Sequence, residues 1–129
     1  RKVRVLSRSD RTRKLAAERG EREQVATELL LHAVRSAAEP RNYGMLSRLN
    51  RDGSSTVEEL MTVSGLGRLP VLERVGHLMQ AGLVSRALDS DRVQPTRLAT
   101  GLVGFLERVK DRLCVKIEER LPGVLEDGK

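Results

Sequence analysis

Basic side chains crowd the first 22 positions of this chain of 129 residues. Nine Lys and Arg stand there against three Asp and Glu, which gives the segment a formal charge of +6, and the rest of the chain carries equal numbers of both signs. A dense block of cations binds a polyanion by releasing the counterions that surround it. The segment therefore predicts contact with nucleic acid, with a solvated and partly disordered tail as the alternative. The contacting side chains are expected to be Arg4, Arg8, Arg11, Arg13 and Lys14.

Residue types that serve catalysis or metal binding are sparse and scattered. Cys114 is the single cysteine, which excludes an intrachain disulfide and a cysteine-rich zinc site. His32 and His77 are far apart in the sequence, and neither has a second ligand three or four positions away. No nucleophile, base and acid stand at a catalytic spacing. We therefore expect no enzyme activity, no metal and no cofactor, and we expect Cys114 to be a small buried hydrophobe, with a redox-sensing thiol as the alternative.

Composition narrows the class of protein further. With one Phe, one Tyr and no Trp, the chain is a poor candidate for stacking the bases of single-stranded nucleic acid. No apolar run approaches the roughly 18–20 residues of a membrane span, so no membrane partner is expected. The length is that of one ordinary domain. We expect a cytoplasmic protein, associated with the nucleoid if it is bacterial.

A long first helix is predicted over residues 9–38, after a basic arm at 1–8. Apolar residues recur in this segment at spacings of three and four, as on one face of a helix. Ser9 or Asp10 is the expected cap. Pro40 ends the helix, because proline disfavours helical backbone in the residue before it. The length of this helix suits a role in assembly.

Three shorter helices are predicted in the middle of the chain. The second spans 41–51, and a hydroxyl followed by acids in Ser55-Thr56-Val57-Glu58-Glu59-Leu60 indicates the start of the third. Gly65 and Gly67 end the third helix, and a fourth spans 68–80 with Pro70 in its first turn. The expected buried positions of the second and fourth helices are Met45, Leu46, Leu49, Val71, Val75, Leu78 and Met79.

A hairpin and a long last helix complete the predicted order. Residues 83–88 alternate like a strand, Asp89-Ser90-Asp91 forms a turn, and 92–95 returns. Thr96 caps a helix whose part at 102–121 is expected to serve dimerisation, and 122–129 is a tail. An apolar stripe on this helix comprises Leu102, Leu106, Val109, Leu113 and Ile117.

The order of elements over residues 41–101 is typical of a winged helix-turn-helix. The stretch Gly65-Leu66-Gly67-Arg68-Leu69-Pro70-Val71-Leu72-Glu73-Arg74-Val75-Gly76-His77-Leu78-Met79-Gln80-Ala81-Gly82-Leu83-Val84 resembles the recognition-helix region of ArsR-like and MarR-like bacterial regulators without a gap. The resemblance implies a mainly α fold with a small β-hairpin wing, flanked by long amino- and carboxy-terminal helices. It also implies a homodimeric transcriptional regulator that binds double-stranded DNA sequence-specifically, with helix 68–80 in the major groove and hairpin 83–95 as wing.

The DNA contacts that the resemblance implies lie on the fourth helix and the hairpin. The alternative is that the charged side chains in these elements are ordinary surface charges. Leu69, Leu72, Glu73 and Gly76 depart from the polar residues that the families carry on the groove-facing side. The alternative function is therefore a protein–protein assembly module of a larger nucleic-acid-associated complex, with a protein partner on the Leu69/Leu72 face. The candidate contacts are Arg68, Leu69, Leu72, Glu73, Arg74, His77, Arg86 and Arg92.

The apolar faces of the two long helices exceed what a winged core can cover. Burial by a second copy of the chain is the expected solution, and folding back as a monomer is the alternative. A twofold dimer would set two recognition helices about one DNA turn apart, ~34 Å. The expected interface residues are Leu29, Leu30, Ala33, Leu102, Leu106, Val109, Leu113 and Ile117.

Overall fold

A computed structural model describes residues 7–120 of the chain. The described part contains five helices and a small antiparallel sheet, which confirms the predicted mainly α fold with a wing. Most of the predicted arm at 1–8, and the tail at 122–129, lie outside the described residues. The elements are α1 (Arg8–Ala38), α2 (Pro40–Asp52), β1 (Ser55–Thr56), α3 (Val57–Ser64), α4 (Arg68–Gln80), β2 (Val84–Arg86), β3 (Arg92–Pro95) and α5 (Arg97–Arg120).

Helix α1 begins earlier than the sequence predicted. Ser7 is its cap, in place of Ser9 or Asp10, because the Ser7 side chain accepts a hydrogen bond from the backbone N–H of Asp10 at 3.1 Å. The helix then runs without a break to Ala38. Every residue from 7 to 32 is exposed, so about 37 Å of helix projects beyond the core at 1.5 Å per residue.

A single extended residue, Glu39, joins α1 to α2. Its backbone has φ −68° and ψ 128°, and its side chain caps α2 by accepting the N–H of Asn42 at 2.9 Å. Pro40 ends α1 as predicted, and it also opens α2, where its missing N–H costs nothing. The two helices are therefore linked without a flexible loop.

The core lies where α2, α3 and α4 meet the sheet and the inner ends of α1 and α5. The predicted positions Met45, Leu46, Leu49, Val71, Val75 and Leu78 are all buried. Met79 is the exception, with 44% exposure, because it lies one position beyond the buried stripe of α4. Ala33 and Ala37 supply the inner end of α1, and Ala99 and Val103 supply that of α5.

The sheet has the strand order β1-β3-β2, so the returning strand of the hairpin lies in the middle. Strand β1 was not predicted, because two residues are too short to show an alternating pattern; it pairs Ser55 with Val93. Strand β2 is shorter than the predicted 83–88 and pairs Ser85 with Gln94. Pairing between β1 and β3 joins the wing to the segment that precedes α3.

Capping residues define both ends of α3 and the start of α5. Thr56 caps α3 by accepting the N–H of Glu59 at 3.2 Å, and Gly65 ends it in the left-handed conformation with φ +71°. A side chain at that φ would be strained, which accounts for glycine in the turn before α4. Thr96 accepts the N–H of Ala99 at 3.3 Å and so caps α5 as predicted.

A polar cluster on α2 and α5 fixes the base of the last helix. Glu107 accepts hydrogen bonds from the hydroxyls of Tyr43 at 2.7 Å and Ser47 at 3.2 Å, and it pairs with Lys110. Burial, together with the hydrogen bond to the Glu107 carboxylate, raises the pKa of Tyr43 to about 12. The bonds from Lys110 and Tyr43 lower the pKa of Glu107. Beyond this cluster α5 leaves the core, and residues 108–120 are exposed.

Candidate nucleic-acid interface

Two arginines meet where the wing approaches the first turn of α4, and a third lies on strand β3 of the wing. Arg68 opens the helix and its Nη2 lies 3.5 Å from Oδ1 of Asp91, while Nη2 of Arg86 donates to the same oxygen at 3.1 Å. Arg92, on β3, donates from Nε and Nη2 to the Ser54 hydroxyl at 3.0 and 2.9 Å. We call Arg68, Arg86 and Arg92 the wing–helix arginines. With Asp91 as the carboxylate that Arg68 and Arg86 share, the three arginines leave an excess of positive charge on the wing and the first turn of α4.

The amino end of α4 adds backbone donors to this surface. Gly67 precedes the helix without a side chain that could bond the first N–H groups. Unpaired N–H groups and the helix dipole favour an anion at such an end. Leu69 and Glu73, both exposed, lie on the outward side of the same two turns, and Leu69 is 78% exposed. A major groove would therefore meet an arginine, a leucine and a carboxylate.

Leu72 does not belong to that outward side. It is half-buried and packs against the core, because it lies close to the buried stripe that contains Val71 and Val75. The exposed pair of leucines predicted from the sequence is therefore wrong. The proposed protein-docking face shrinks to Leu69 alone, and the assembly-module alternative loses the surface on which it depended.

Arg74 also departs from its predicted role as a DNA contact. Its Nη1 pairs with Oε2 of Glu39 and donates to Oδ1 of Asn42 at 3.1 Å, and its side chain is only 28% exposed. The guanidinium thus points towards the α1–α2 junction and away from the wing–helix arginines. His77, near the carboxyl end of α4, lines a groove of about 350 Å³ with Glu73 and Arg74, on that same side of the helix.

Four of the five predicted amino-terminal contacts lie on helix α1. Arg8, Arg11, Arg13 and Lys14 are all exposed on the first two turns of α1, whereas Arg4 lies outside the described residues. Sequence reasoning did not single out Arg19 and Arg22. At 100° per residue they share an arc of about 80° with Arg8 and Arg11, so four arginines form one stripe along α1. The spacing of three and eight residues between these arginines is the sequence pattern that indicates a shared side of the helix.

The predicted dimer residues fall into three groups by burial. Leu29 and Leu30 on α1, and Val109, Leu113 and Ile117 on α5, are exposed apolar side chains. Ala33 is fully buried in the core of its own chain, because it lies where α1 meets that core, and it has no surface to offer a second copy. Leu102 is half-buried against the core, and Leu106 is also half-buried. Cys114 is exposed, contrary to prediction.

Two features are absent from the part of the chain that the structure describes: a cluster of possible metal ligands and a helix that could cross a membrane. From Ser7 to Arg120, no three His, Cys, Asp or Glu side chains are grouped so that they could hold a metal ion. Over the same range, no helix combines the length and the apolar character that a membrane span requires.

Solved structures of regulators share this arrangement of helices and wing. The homodimeric winged helix-turn-helix DNA-binding domain of Mb0332 from Mycobacterium bovis, described as a possible ArsR-family transcriptional regulator, is similar with a TM-score of 0.63 at 18% identity, over 76% of this chain and 90% of that one. The chain has a winged helix-turn-helix fold. Within this winged helix, α3 and α4 form the helix-turn-helix and β2–β3 the wing.

Two further winged-helix structures widen the comparison. The transcriptional repressor BigR from Xylella fastidiosa matches with a TM-score of 0.55 at 23% identity, over 70% of this chain and 94% of that one. A MarR family transcriptional regulator from Silicibacter pomeroyi matches with 0.56 at 17% identity, over 98% and 92%. No sequence profile of a protein family matches the chain, and no curated protein sequence matches it significantly. The likeness is therefore one of fold.

Proposed function

We propose that the protein is a homodimeric transcriptional regulator that binds double-stranded DNA sequence-specifically. The observation that carries this proposal is the pairing of Arg68 and Arg86 with the same carboxylate oxygen of Asp91, which brings both arginines together at the amino end of α4, while Arg92 follows Asp91 on β3. Helix α4 would enter the major groove, and the β2–β3 wing would lie along the adjacent backbone or minor groove. A DNA-binding protein of this kind would act in the cytoplasm, at the nucleoid if the cell is bacterial.

Each part of the surface has a task in this proposal. Arg86 and Arg68 exchange Asp91 for a phosphate or a guanine edge, which costs little because exposed ion pairs contribute only about 0–1 kcal/mol. Glu73 accepts a hydrogen bond from the N4 amino group of cytosine, and Leu69 contacts a thymine methyl. The arginine stripe of α1 adds phosphate contacts, which position the protein without reading sequence.

A second copy of the chain would cover the projecting helices. Leu29 and Leu30 of α1, and Val109, Leu113 and Ile117 of α5, lie on stripes that continue the buried faces of these helices, as in an interface between subunits. The Mycobacterium bovis structure is that of a homodimeric domain, which supports the same arrangement here. Twofold pairing would place two α4 helices about one turn of DNA apart.

The decisive experiment compares two triple variants that carry the same net charge. Arg68, Arg86 and Arg92 are replaced by Ala in the first, and the exposed arginines Arg51, Arg108 and Arg112 in the control. Affinity for a random duplex of about 30 base pairs is measured by fluorescence anisotropy over a salt series. In the first variant alone, the salt slope should become shallower by about 0.9 for each phosphate that is no longer neutralised. Equal slopes for both variants would contradict the proposed surface.

The same titration separates the contribution of the amino-terminal cations. A chain that lacks residues 1–22 should still bind DNA, with a shallower salt slope than the full chain, because the wing and α4 remain. If removing this segment abolished all binding, the winged helix would not be the DNA-binding part. Selection from a random duplex library then tests sequence specificity.

A further inference from the structure

Three helices meet at one polar cluster, which we call the three-helix joint and define as Ser36, Glu39, Asn42 and Arg74. Glu39 lies between α1 and α2, and its carboxylate accepts the backbone N–H of Asn42 at 2.9 Å and pairs with Nη1 of Arg74. Asn42 is 8% exposed and bonds both neighbours: its Nδ2 donates to the Ser36 carbonyl at 2.9 Å, and its Oδ1 accepts from Arg74 at 3.1 Å. The last turn of α1, the first turn of α2 and the middle of α4 are thus connected.

The geometry makes this joint stiffer than a surface ion pair. One nitrogen of the Arg74 guanidinium, Nη1, donates to both a carboxylate and an amide oxygen, and charged hydrogen bonds of this kind are about twice as strong as neutral ones. The capping bond from Asn42, and to a lesser degree Arg74, lower the pKa of Glu39, so the carboxylate stays charged. Because one residue links the helices, a tilt of α1 must move Asn42, Arg74 and α4 together.

We propose that Glu39 and Asn42 are positioning residues for DNA recognition, acting through Arg74 to hold α4 at a fixed angle to α1. The inference rests on the proposed function, since α4 is the helix that reads the bases there. A dimer recognises its site only if both α4 helices keep their orientation and separation. The joint carries that constraint from α1, which the second copy would hold, to α4. Loss of the joint should therefore reduce discrimination between DNA sequences more than it reduces binding to phosphates.

The inference differs from direct contact by Arg74 in a way that Glu39→Gln reveals. If Arg74 itself contacted DNA, removal of its carboxylate partner would free it and leave affinity unchanged or higher. If the joint positions α4, Glu39→Gln and Arg74→Met should impair discrimination alike, and the double variant should cost no more than either single one, because both remove the same interaction. Asp52→Asn is the control, since that carboxylate pairs with Arg48 within α2 and links no helices.

The DNA experiment uses the full chain and the preferred duplex from a random library. We expect Glu39→Gln and Arg74→Met to lower the ratio of affinities for preferred over random duplex about tenfold, the scale of one mismatched base pair, while affinity for random duplex is retained. Asp52→Asn should keep the ratio. Circular dichroism checks that each variant is folded. An unchanged ratio, or a higher affinity of Glu39→Gln, would overturn the inference.

A second measurement tests the joint without DNA. In a Cys114→Ser chain, Glu23 on α1 and Gln80 on α4 are each replaced by Cys and spin-labelled. The labelled chain is diluted with unlabelled protein, and the labels report the distance between the two helices. The distribution should broaden in Glu39→Gln and Arg74→Met and stay narrow in Asp52→Asn. Unchanged distributions would overturn the inference whatever the DNA result. A library that returned no preferred sequence would overturn the proposed function instead, and the joint would still be decided by the distances.

Discussion

Arg68 and Arg74 stand on the same helix and meet different surroundings. Arg68 faces the wing and Asp91, whereas Arg74 is turned inward to Glu39 and Asn42. Residue type predicted a DNA contact for both. The pattern that separates them is present in the sequence, because Arg74 lies between Val71 and Leu78 at the edge of the buried stripe of α4. The acceptors that hold it, on another helix, could not be predicted from local spacing.

Arg68 gives the residue-scale prediction for DNA binding. Replacement by Ala should cost roughly 1–3 kcal/mol on the preferred duplex, because a bidentate arginine distinguishes guanine from other bases. The cost on random duplex should be smaller. Anisotropy titrations on both duplexes measure the two values, and Arg112→Ala on the exposed part of α5 is the control. Equal costs on both duplexes would make Arg68 a backbone contact.

Tyr43 gives a second prediction at this scale, since it is the only tyrosine of the chain. Its folded pKa of about 12 lies above the ordinary value of 10, so the native state favours the protonated phenol. The resulting stability is present below pH 10 and is lost as the pH rises through 12. Near-ultraviolet absorbance of the tyrosinate, with circular dichroism to follow folding, should show this late titration.

Glu107→Gln tests the cause of the Tyr43 shift. Without the carboxylate charge, the phenol should titrate earlier, although burial keeps its pKa above 10. Glu118→Gln on the exposed end of α5 should leave the titration unchanged. A wild-type phenol that titrates near its ordinary value in the folded chain would contradict the cluster with Ser47 and Glu107.

Helix bounds were predictable where the residues that start or end a helix agree with the spacing of the apolar residues. The bounds of α4 match the prediction, because Gly67 and Pro70 fix its start and its buried residues follow a period of 3.6. The start of α1 was missed because Ser7, Ser9 and Asp10 are all capping residues. Strand β1 was missed because its two residues can be recognised as a strand only through their pairing with β3. Pairing across the chain is not a local property.

The turn before α4 supplies a prediction at the element scale. Gly65→Ala should lower the free energy of unfolding by roughly 1–2 kcal/mol, because φ is +71° there and the left-handed conformation penalises a Cβ. Gly20→Ala is the matched control: a Cβ there meets nothing within 4 Å inside α1, so it should stabilise the chain by roughly 0.5–1 kcal/mol. Urea denaturation measures both changes, and a destabilised Gly20 variant or a neutral Gly65 variant would contradict these backbone assignments.

The whole molecule has a small core with two helices that extend beyond it. The sequence predicted both helices and their excess of apolar surface, but it placed Ala33 at the interface, where the structure has it in the core. Whether a given residue of a continuous stripe faces its own core or a second copy depends on where the helix leaves the core. The spacing of apolar residues does not show where the helix leaves the core. In the structure, the change from exposed to buried residues places that position near residue 32 on α1.

Assembly gives the prediction at this scale. Leu113→Asp together with Ile117→Asp should convert a dimer to a monomer, since charges would enter the apolar stripe of α5, and affinity for DNA should fall because a monomer meets only one half-site. Val115→Asp is the control. It is as exposed as Ile117, at 52%, but it lies on the opposite side of the helix. Sedimentation velocity measures the mass, and a wild-type monomer, or a double variant that stays dimeric, would contradict the interface.

The one-residue link at Glu39 also constrains how this protein can diverge. An inserted residue in the last turn of α1, just before Glu39, would turn the rest of that helix by about 100° around its axis, so its apolar and arginine stripes would face new directions. Residues added at the amino end of α1 have no such effect, because they leave the directions of all the following residues unchanged. Natural variation in length should therefore accumulate at the amino end of α1. The junction itself should tolerate substitution far better than insertion or deletion.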